Sequence, residues 1–468
     1  MPLNKSELKQ NISYAFTSQF LSMVVSVIIA LIVPKLLGVD AFSYWQLFIF
    51  YTLYGGFLHL GLTDGVYLKI GGQKYEDLNY DSLGSQYKYS ICIQIAICLL
   101  VCFLFCPKMS PDRSFVLISS SICVIIGNVF SFWSFLLQSV GLVKHYSIST
   151  ILEKGIFIFF LILFFVINSR SYRLLIVLFI ISRLFSLSYG SVKCKELILS
   201  NWLPFRVVKE EYFTNTIVGL SLTISNIASM TILGIGRFFI DAKMGIIAFG
   251  KVSFAILMVN FFVVFLTQIS IVLFPALKRL SEKEISSYYA KLNSIFTILS
   301  PSVLFLYPFI FVLITYWLPQ YRDSLVYFVI LFPLVCYEGK MQMLNNTFLK
   351  VLREEKKLLI FNISASIMST LLCAFSVFLM NNIKLAVMSM MVSIALRSLI
   401  SELYLQRRCS VDGLKDIIIF NLLVVVFVIS NLMGGAIIGF IIYTTFFILV
   451  YLYDRNQYNS LLKLTLHK

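Results

Sequence analysis

Arg183 stands in "IISRLFSLSY", inside an apolar run and flanked by Ser182, Ser186 and Ser188. A guanidinium offers a planar fork of N–H donors that matches a carboxylate or a phosphate. Placing such a charge near the centre of a membrane helix costs roughly 2.5–3.5 kcal/mol, so it rarely sits there idle. Two roles fit: a cation that holds an anion in a wet cavity, or a tie between helices. Arg397, in "IALRSLISELY", has the same setting, with Glu402 further along. An intrahelical pair prefers a spacing of three or four residues, and this spacing is longer, so cavity and structural roles stand even for Arg397. Lys340 belongs to "CYEGKMQMLNN", a polar helix end with Glu338, where Gly339 could loosen the turn. Glu338 and Lys340, two apart, point away from each other on a helix. Lys251 and Lys154, the latter beside Glu153, fall within two turns of the ends of their apolar runs. Snorkelling explains them as well as cavity work does.

A different kind of group closes the stretch "GGFLHLGLTDGVYLKIGG". His59 is the kind of side chain that carries a proton near neutral pH, and a packed neutral ring is the plainer reading. Asp64 is either a loop carboxylate satisfied by Lys69 or water, or a gate that pairs with a basic segment elsewhere, such as Lys278-Arg279. Glu338 is a further gating or coupling candidate. No metal site and no cofactor is indicated. Cys98, Cys102 and Cys106 share one helical face, but no histidine or carboxylate lies near them on that helix, and small packing residues is the better reading.

The elements that must position these groups are helices in lipid. The 468 residues are 59% hydrophobic and 13% charged, against the ~25% charged of soluble domains. About fourteen apolar runs approach the ~20 residues that a bilayer crossing needs. They are residues 12–34, 41–63, 89–106, 115–138, 150–168, 173–192, 215–236, 246–270, 292–316, 324–346, 358–380, 384–404, 414–431 and 433–453. None alternates as membrane β-strands do. The fold class is an all-α integral membrane protein with about fourteen transmembrane helices.

Most of the 38 Lys and Arg fall in the loops that are cytoplasmic if the N-terminus is cytoplasmic. That bias orients the chain with both termini inside. The net charge of +16 is then a topology signal plus attraction to anionic inner-leaflet lipid, not a nucleic-acid footprint. "MPLNKSELKQ" runs straight into a full apolar span, so it reads as a retained first helix. No outer loop has room for a soluble catalytic domain, and no enzyme activity is expected.

The longest loop, 193–214, divides the chain. Residues 1–192 hold helices one to six, 215–404 hold helices seven to twelve, and 405–468 add two more helices and a cytoplasmic tail. The halves echo each other. "LLQSVGLVKHYSI" matches "TFLKVLREEKKLLI" in character, Asp40-Ala41 matches Asp241-Ala242, and the Arg183 segment matches the Arg397 segment. Six helices is an even number, so these are parallel repeats about an axis along the membrane normal.

The opening "IVPKLLGVDAFSYWQLFIFYTLYGGFLHLGLTDGVYLKIGG", with "VLFPALKRL" and "FLKVLREEKK", resembles polysaccharide flippases of the multidrug/oligosaccharidyl-lipid/polysaccharide (MOP) superfamily. The resemblance implies two six-helix lobes around a central cavity. It also implies a cargo of undecaprenyl-diphosphate-linked oligosaccharide, moved from the cytoplasmic to the outer leaflet of the inner membrane by alternating access, for O-antigen or capsule synthesis. Membrane lipid, a polysaccharide polymerase and a chain-length regulator are the partners it implies. Relatives often use a basic cavity. Here the first helix has no arginine or lysine until Lys35, so Arg183, Arg397, Lys340, Lys251 and Lys154 are the candidates to build one. A cation-coupled multidrug or metabolite antiporter of the same superfamily is the alternative. It would need a deep acidic residue in the first half, where Asp64 lies too near the interface and Glu153 sits at the mouth of the fifth helix.

Overall fold

The computed structural model describes residues 5–277 and 281–453. Every regular element among them is helical, as lipid demands of a backbone with no water to pair with. In chain order they are α1 (Lys5–Leu31), α2 (Val33–Gly55), α3 (Leu62–Ile70), α4 (Tyr80–Phe105), α5 (Pro111–Ser139), α6 (Val143–Val166), α7 (Tyr172–Lys193), α8 (Lys195–Leu199) and α9 (Phe205–Met244). There follow α10 (Ile246–Leu277), α11 (Glu282–Ser302), α12 (Tyr307–Trp317), α13 (Leu325–Leu331), α14 (Leu334–Lys340), α15 (Asn346–Val351), α16 (Glu355–Ala374), α17 (Ile383–Arg408) and α18 (Leu414–Tyr453). Polar caps start several of them: Ser110 accepts the Arg113 N–H with Pro111 at the first position, Ser171 accepts Leu174 N–H, and Asn382 accepts Leu385 N–H.

Among the described residues, eleven helices are long and apolar enough to cross a membrane, or twelve if a pair bent by 42° at Phe332–Pro333 is one span. The expected count of about fourteen is higher, and α1 and α18 bear on the difference. Within α1, the described apolar stretch is Phe16–Leu31. And α18 is not one straight rod. Gly435 has φ 69°, ψ −176°, and the Phe427 and Tyr443 rings lie 5.4 Å apart, where a straight helix would separate them by roughly 24 Å. The chain folds back there, giving two runs.

The chain forms two compact units, Met1–Ile227 and Ala228–Lys468, with the boundary inside α9. In the first, α3 lies directly on α9. A Cβ at Gly65 would stand 1.7 Å from the Asn215 carbonyl oxygen, and one at Gly219 would stand 1.9 Å from that of Gly61. Only glycines permit this backbone-on-backbone contact. Around it, Leu62, Val66, Trp133, Leu137, Leu197 and Tyr212 form a buried core. Residues before α9 dock on α4: Lys88 Nζ donates to the Ser200 carbonyl at 2.6 Å, and the Asn201 N–H reaches Asp81 at 2.8 Å.

In the second unit the expected loosening at Gly339 is displaced. The bend falls at Phe332–Pro333, where proline supplies no N–H, and a π-helical turn, Met341–Asn345, follows α14. Tyr289, Met341, Leu344, Phe348 and Leu405 are packed around that turn.

Candidate functional site

A cavity of about 580 Å³ opens within the first unit, lined by α1, α2, α5, α6 and α7. Its charged lining consists of Glu153, Lys154 and Arg183. Helix α7 brings Arg183 there because small residues let it approach its neighbours closely. Ser186 donates to the Ser149 carbonyl of α6 at 2.8 Å, and Gly190 faces Trp133 of α5. Trp45, Phe157 and Phe179 stack and edge together behind it, with centroids 5.1–6.3 Å apart. The guanidinium lies 4.8 Å over the Phe179 ring and donates from Nη1 to Cys123 Sγ at 3.3 Å. A Cβ at Gly127 would sit 3.0 Å from Nη1, so α5 is bare where the guanidinium lies against it.

Glu153 ties the cations together. Its Oε1 accepts from Lys154 Nζ at 2.9 Å and lies 3.6 Å from Arg183 Nε. The two cation side chains keep 25% (Arg183) and 23% (Lys154) of their surface open, while Glu153 keeps 8%. The apolar runs place Lys154 near a helix end, within snorkelling distance of the interface. In the structure α6 begins at Val143 rather than at 150. Lys154 is therefore about three turns, roughly 16 Å, along its helix. The segment "KHYSIST" hides the start, since Tyr146 and Thr150 are polar residues facing the cavity.

Arg397 and Lys340 lie in the second unit in a different setting. Arg397 pairs through Nη2 with Glu338, and its Nη1 donates to Ser229 Oγ at 2.8 Å and Asn362 Oδ1 at 3.3 Å. Lys340 Nζ donates to Glu402 Oε1 at 2.6 Å and rides 4.6 Å over the Phe420 ring. The Arg397 side chain is 1% exposed and that of Lys340 0%. Each of these two cations is buried against a carboxylate. The partners are crossed relative to the Arg397–Glu402 pairing weighed from the sequence, because Glu338 and Lys340 project in different directions and both meet α17. Lys251 pairs with the exposed Asp323 at 2.7 Å, near the start of α10.

Asp64 and His59 belong to the break between α2 and α3. Leu60 and Gly61 have φ 51° and 89°, and His59 Nδ1 accepts the Gly61 N–H at 3.1 Å, which stabilises that turn. Asp64 accepts from Thr223 of α9 at 2.8 Å. Lys69, its expected partner, instead pairs with Glu211 at 2.7 Å. The suggested partners Lys278-Arg279 lie outside the described residues.

Sequence reasoning did not single out Cys123, Gly127, Asn128, Gln94 or the serines of α1. Ser22 and Ser26 line the cavity and bond back along α1 to Ser18 and Ser22. Asn128 donates to Gln94 at 2.8 Å, and Gln94 in turn to Ser90. The four-residue spacing of Ser18, Ser22 and Ser26 was the available signal. The resulting site is a polar-walled cavity within helices, with two cation heads beside one carboxylate.

No protein-family model matches the sequence, and no curated protein matches it. Solved structures do. The lipid II flippase MurJ, in an inward closed conformation, aligns with TM-score 0.68 and 13% identity over 96% of this chain and 99% of its own. An inward-facing multidrug resistance MATE family transporter of the MOP superfamily aligns with TM-score 0.58 and 11% identity over 83% and 98%. A MATE in complex with MaD5 aligns with TM-score 0.51 and 12% identity over 86% and 95%. The chain shares the all-helical fold of these solved structures, and its long apolar helices make it an integral membrane protein.

Proposed function

We propose that this protein is a flippase for undecaprenyl-diphosphate-linked oligosaccharide. In this reading it carries repeat units from the cytoplasmic to the outer leaflet of a bacterial inner membrane by alternating access, for O-antigen or capsule synthesis, with both termini cytoplasmic. The observation that carries the reading is the pair of partly open cations, Arg183 and Lys154, in a cavity of about 580 Å³ deep within the helices. A diphosphate is the group such a pair suits, since each cation offers charge-assisted donors to phosphate oxygens. The cavity's size falls in the range of ~300–1,000 Å³ that encloses small-molecule groups. The fold is shared with a protein described as a lipid II flippase, which supports a lipid-linked cargo.

The same fold is shared with multidrug resistance transporters, and the cavity holds one carboxylate, so a cation-coupled antiporter is the second reading. The two predict different driving forces. A diphosphate head with about two negative charges gains roughly 4–5 kcal/mol on leaving an interior at −100 mV, at ~2.3 kcal/mol per charge. In proteoliposomes loaded with the lipid-linked oligosaccharide, flipping should rise when valinomycin and potassium set the interior negative with no pH gradient. Arg183→Ala and Lys154→Ala should each abolish that flux. A rate that ignores potential and both substitutions, with uptake of small cationic drugs instead, would overturn the flippase reading in favour of the antiporter.

A further inference from the structure

Glu153 sits where an anionic ligand would bind. It is 6% exposed and deep in a helix, and a single oxygen of its carboxylate faces both Lys154 and Arg183. We propose that Glu153 is a resident counter-anion, a carboxylate that fills the phosphate position of the Arg183–Lys154 pair until an anionic head group displaces it, and that returns to expel the head group. This inference rests on the reading of Arg183 and Lys154 as the anion-holding pair and adds how that pair lets go.

Three features separate Glu153 from an ordinary structural partner. The first is exposure: the cations it meets line the cavity and are about one-quarter exposed, whereas the Arg397 and Lys340 side chains are 1% and 0% exposed. The second is that Arg183 is held without it. The Phe179 ring below and Cys123 Sγ beside fix the guanidinium, so displacing the carboxylate leaves the cation in position. The hydrogen bond to Cys123 uses one of the five N–H donors that a guanidinium carries. The third is looseness: the Arg183–Glu153 separation is 3.6 Å, beyond a close charge-assisted hydrogen bond, while Lys154 holds the same oxygen at 2.9 Å. A modest swing of the Glu153 side chain would free the guanidinium edge.

The physical consequence concerns release. Two uncompensated cations in a low-dielectric cavity would hold a diphosphate too long for a cycle that must discharge it. A tethered carboxylate competes at a fixed high local concentration, so it weakens binding and speeds departure together. Coupling between close charge pairs at interfaces begins near tenfold in affinity.

The test uses the full chain in nanodiscs of neutral lipid, with undecaprenyl diphosphate and, separately, inorganic pyrophosphate as probes. Glu153→Gln should bind both about tenfold more tightly than the unsubstituted protein. It should also release undecaprenyl diphosphate more slowly and flip it at a lower maximal rate. Glu153→Asp keeps the charge on a shorter stem, so it should fall between the two; it decides the matter if the Gln variant does not fold. Unchanged or weaker binding by Glu153→Gln, or by Glu153→Asp in its place, with Arg183→Ala and Lys154→Ala still losing both probes, would overturn the counter-anion role and leave the anion site standing. Unaltered binding by both Ala variants would overturn the site itself.

Discussion

Replacing Lys340 should unfold more of this protein than replacing either cavity cation. Lys340 Nζ lies 2.6 Å from Glu402 Oε1, and the two side chains are 0% and 3% exposed. Substituting methionine keeps the aliphatic stem and removes the charge. Glu402 would then keep Gln406 Nε2, at 3.4 Å, as its residual donor. Removing one member of a buried pair costs about 3–5 kcal/mol. Total stabilities of domains run to ~5–15 kcal/mol. For a unit the size of Ala228–Lys468, each kcal/mol moves the midpoint by about 2–4 °C, so Lys340→Met should lower it by roughly 6–20 °C. Removing both charges, Lys340→Met with Glu402→Leu, should restore most of that loss, because an apolar pair of similar volume is often as stable as the ion pair. Size-exclusion thermostability in detergent, run as a double-mutant cycle, reads both effects. A shift of less than about 2 °C for Lys340→Met, or a double variant no more stable than the single one, would refute the argument.

Two further outcomes follow from the geometry. Gly65→Ala should separate α3 from α9, because its Cβ would stand 1.7 Å from the Asn215 carbonyl; a loss of about 1–3 kcal/mol or more is expected, read as reduced abundance of folded protein in the membrane. Cysteines at the exposed positions Arg170 and Lys384 should label from outside intact cells with an impermeant thiol reagent, whereas Lys74 and Glu355 should label only after permeabilisation, in a background stripped of native cysteines; the reverse pattern would invert the proposed orientation.

The membrane-spanning character was legible from the apolar runs alone, since no soluble fold hides that much apolar surface. The ends of the runs were not. Helix α6 starts at Val143 and α9 at Phe205, both earlier than hydropathy placed them. In α6 the extra turns carry Tyr146 and Thr150, whose polarity faces the cavity. In α9 they carry charged residues such as Glu211, which accepts from both Lys69 and Ser82. Hydropathy averages around the helix and so cannot distinguish a polar cavity wall from a loop. The fold-back at Gly435 was legible as two runs. It escapes a length criterion because the helical hydrogen-bond pattern continues on both sides of one non-helical residue.

Arg183 and Arg397 show where sequence reasoning about charge stops. They sit in matching segments, each followed by serines and a tyrosine, and a one-dimensional reading assigns them one role. What separates them lies on other helices. Arg397 meets Glu338 of α14, Asn362 of α16 and Ser229 of α9, so its donors are taken up from three sides. Arg183 meets a ring, a thiol and one edge of a carboxylate, and the fourth side is cavity. An ionised group enclosed by polar partners on several helices fixes those helices. The same group with one open side can trade a resident partner for an arriving one. The cost of insertion is similar in both cases, so the energy spent on a buried charge does not reveal its use. The open side does.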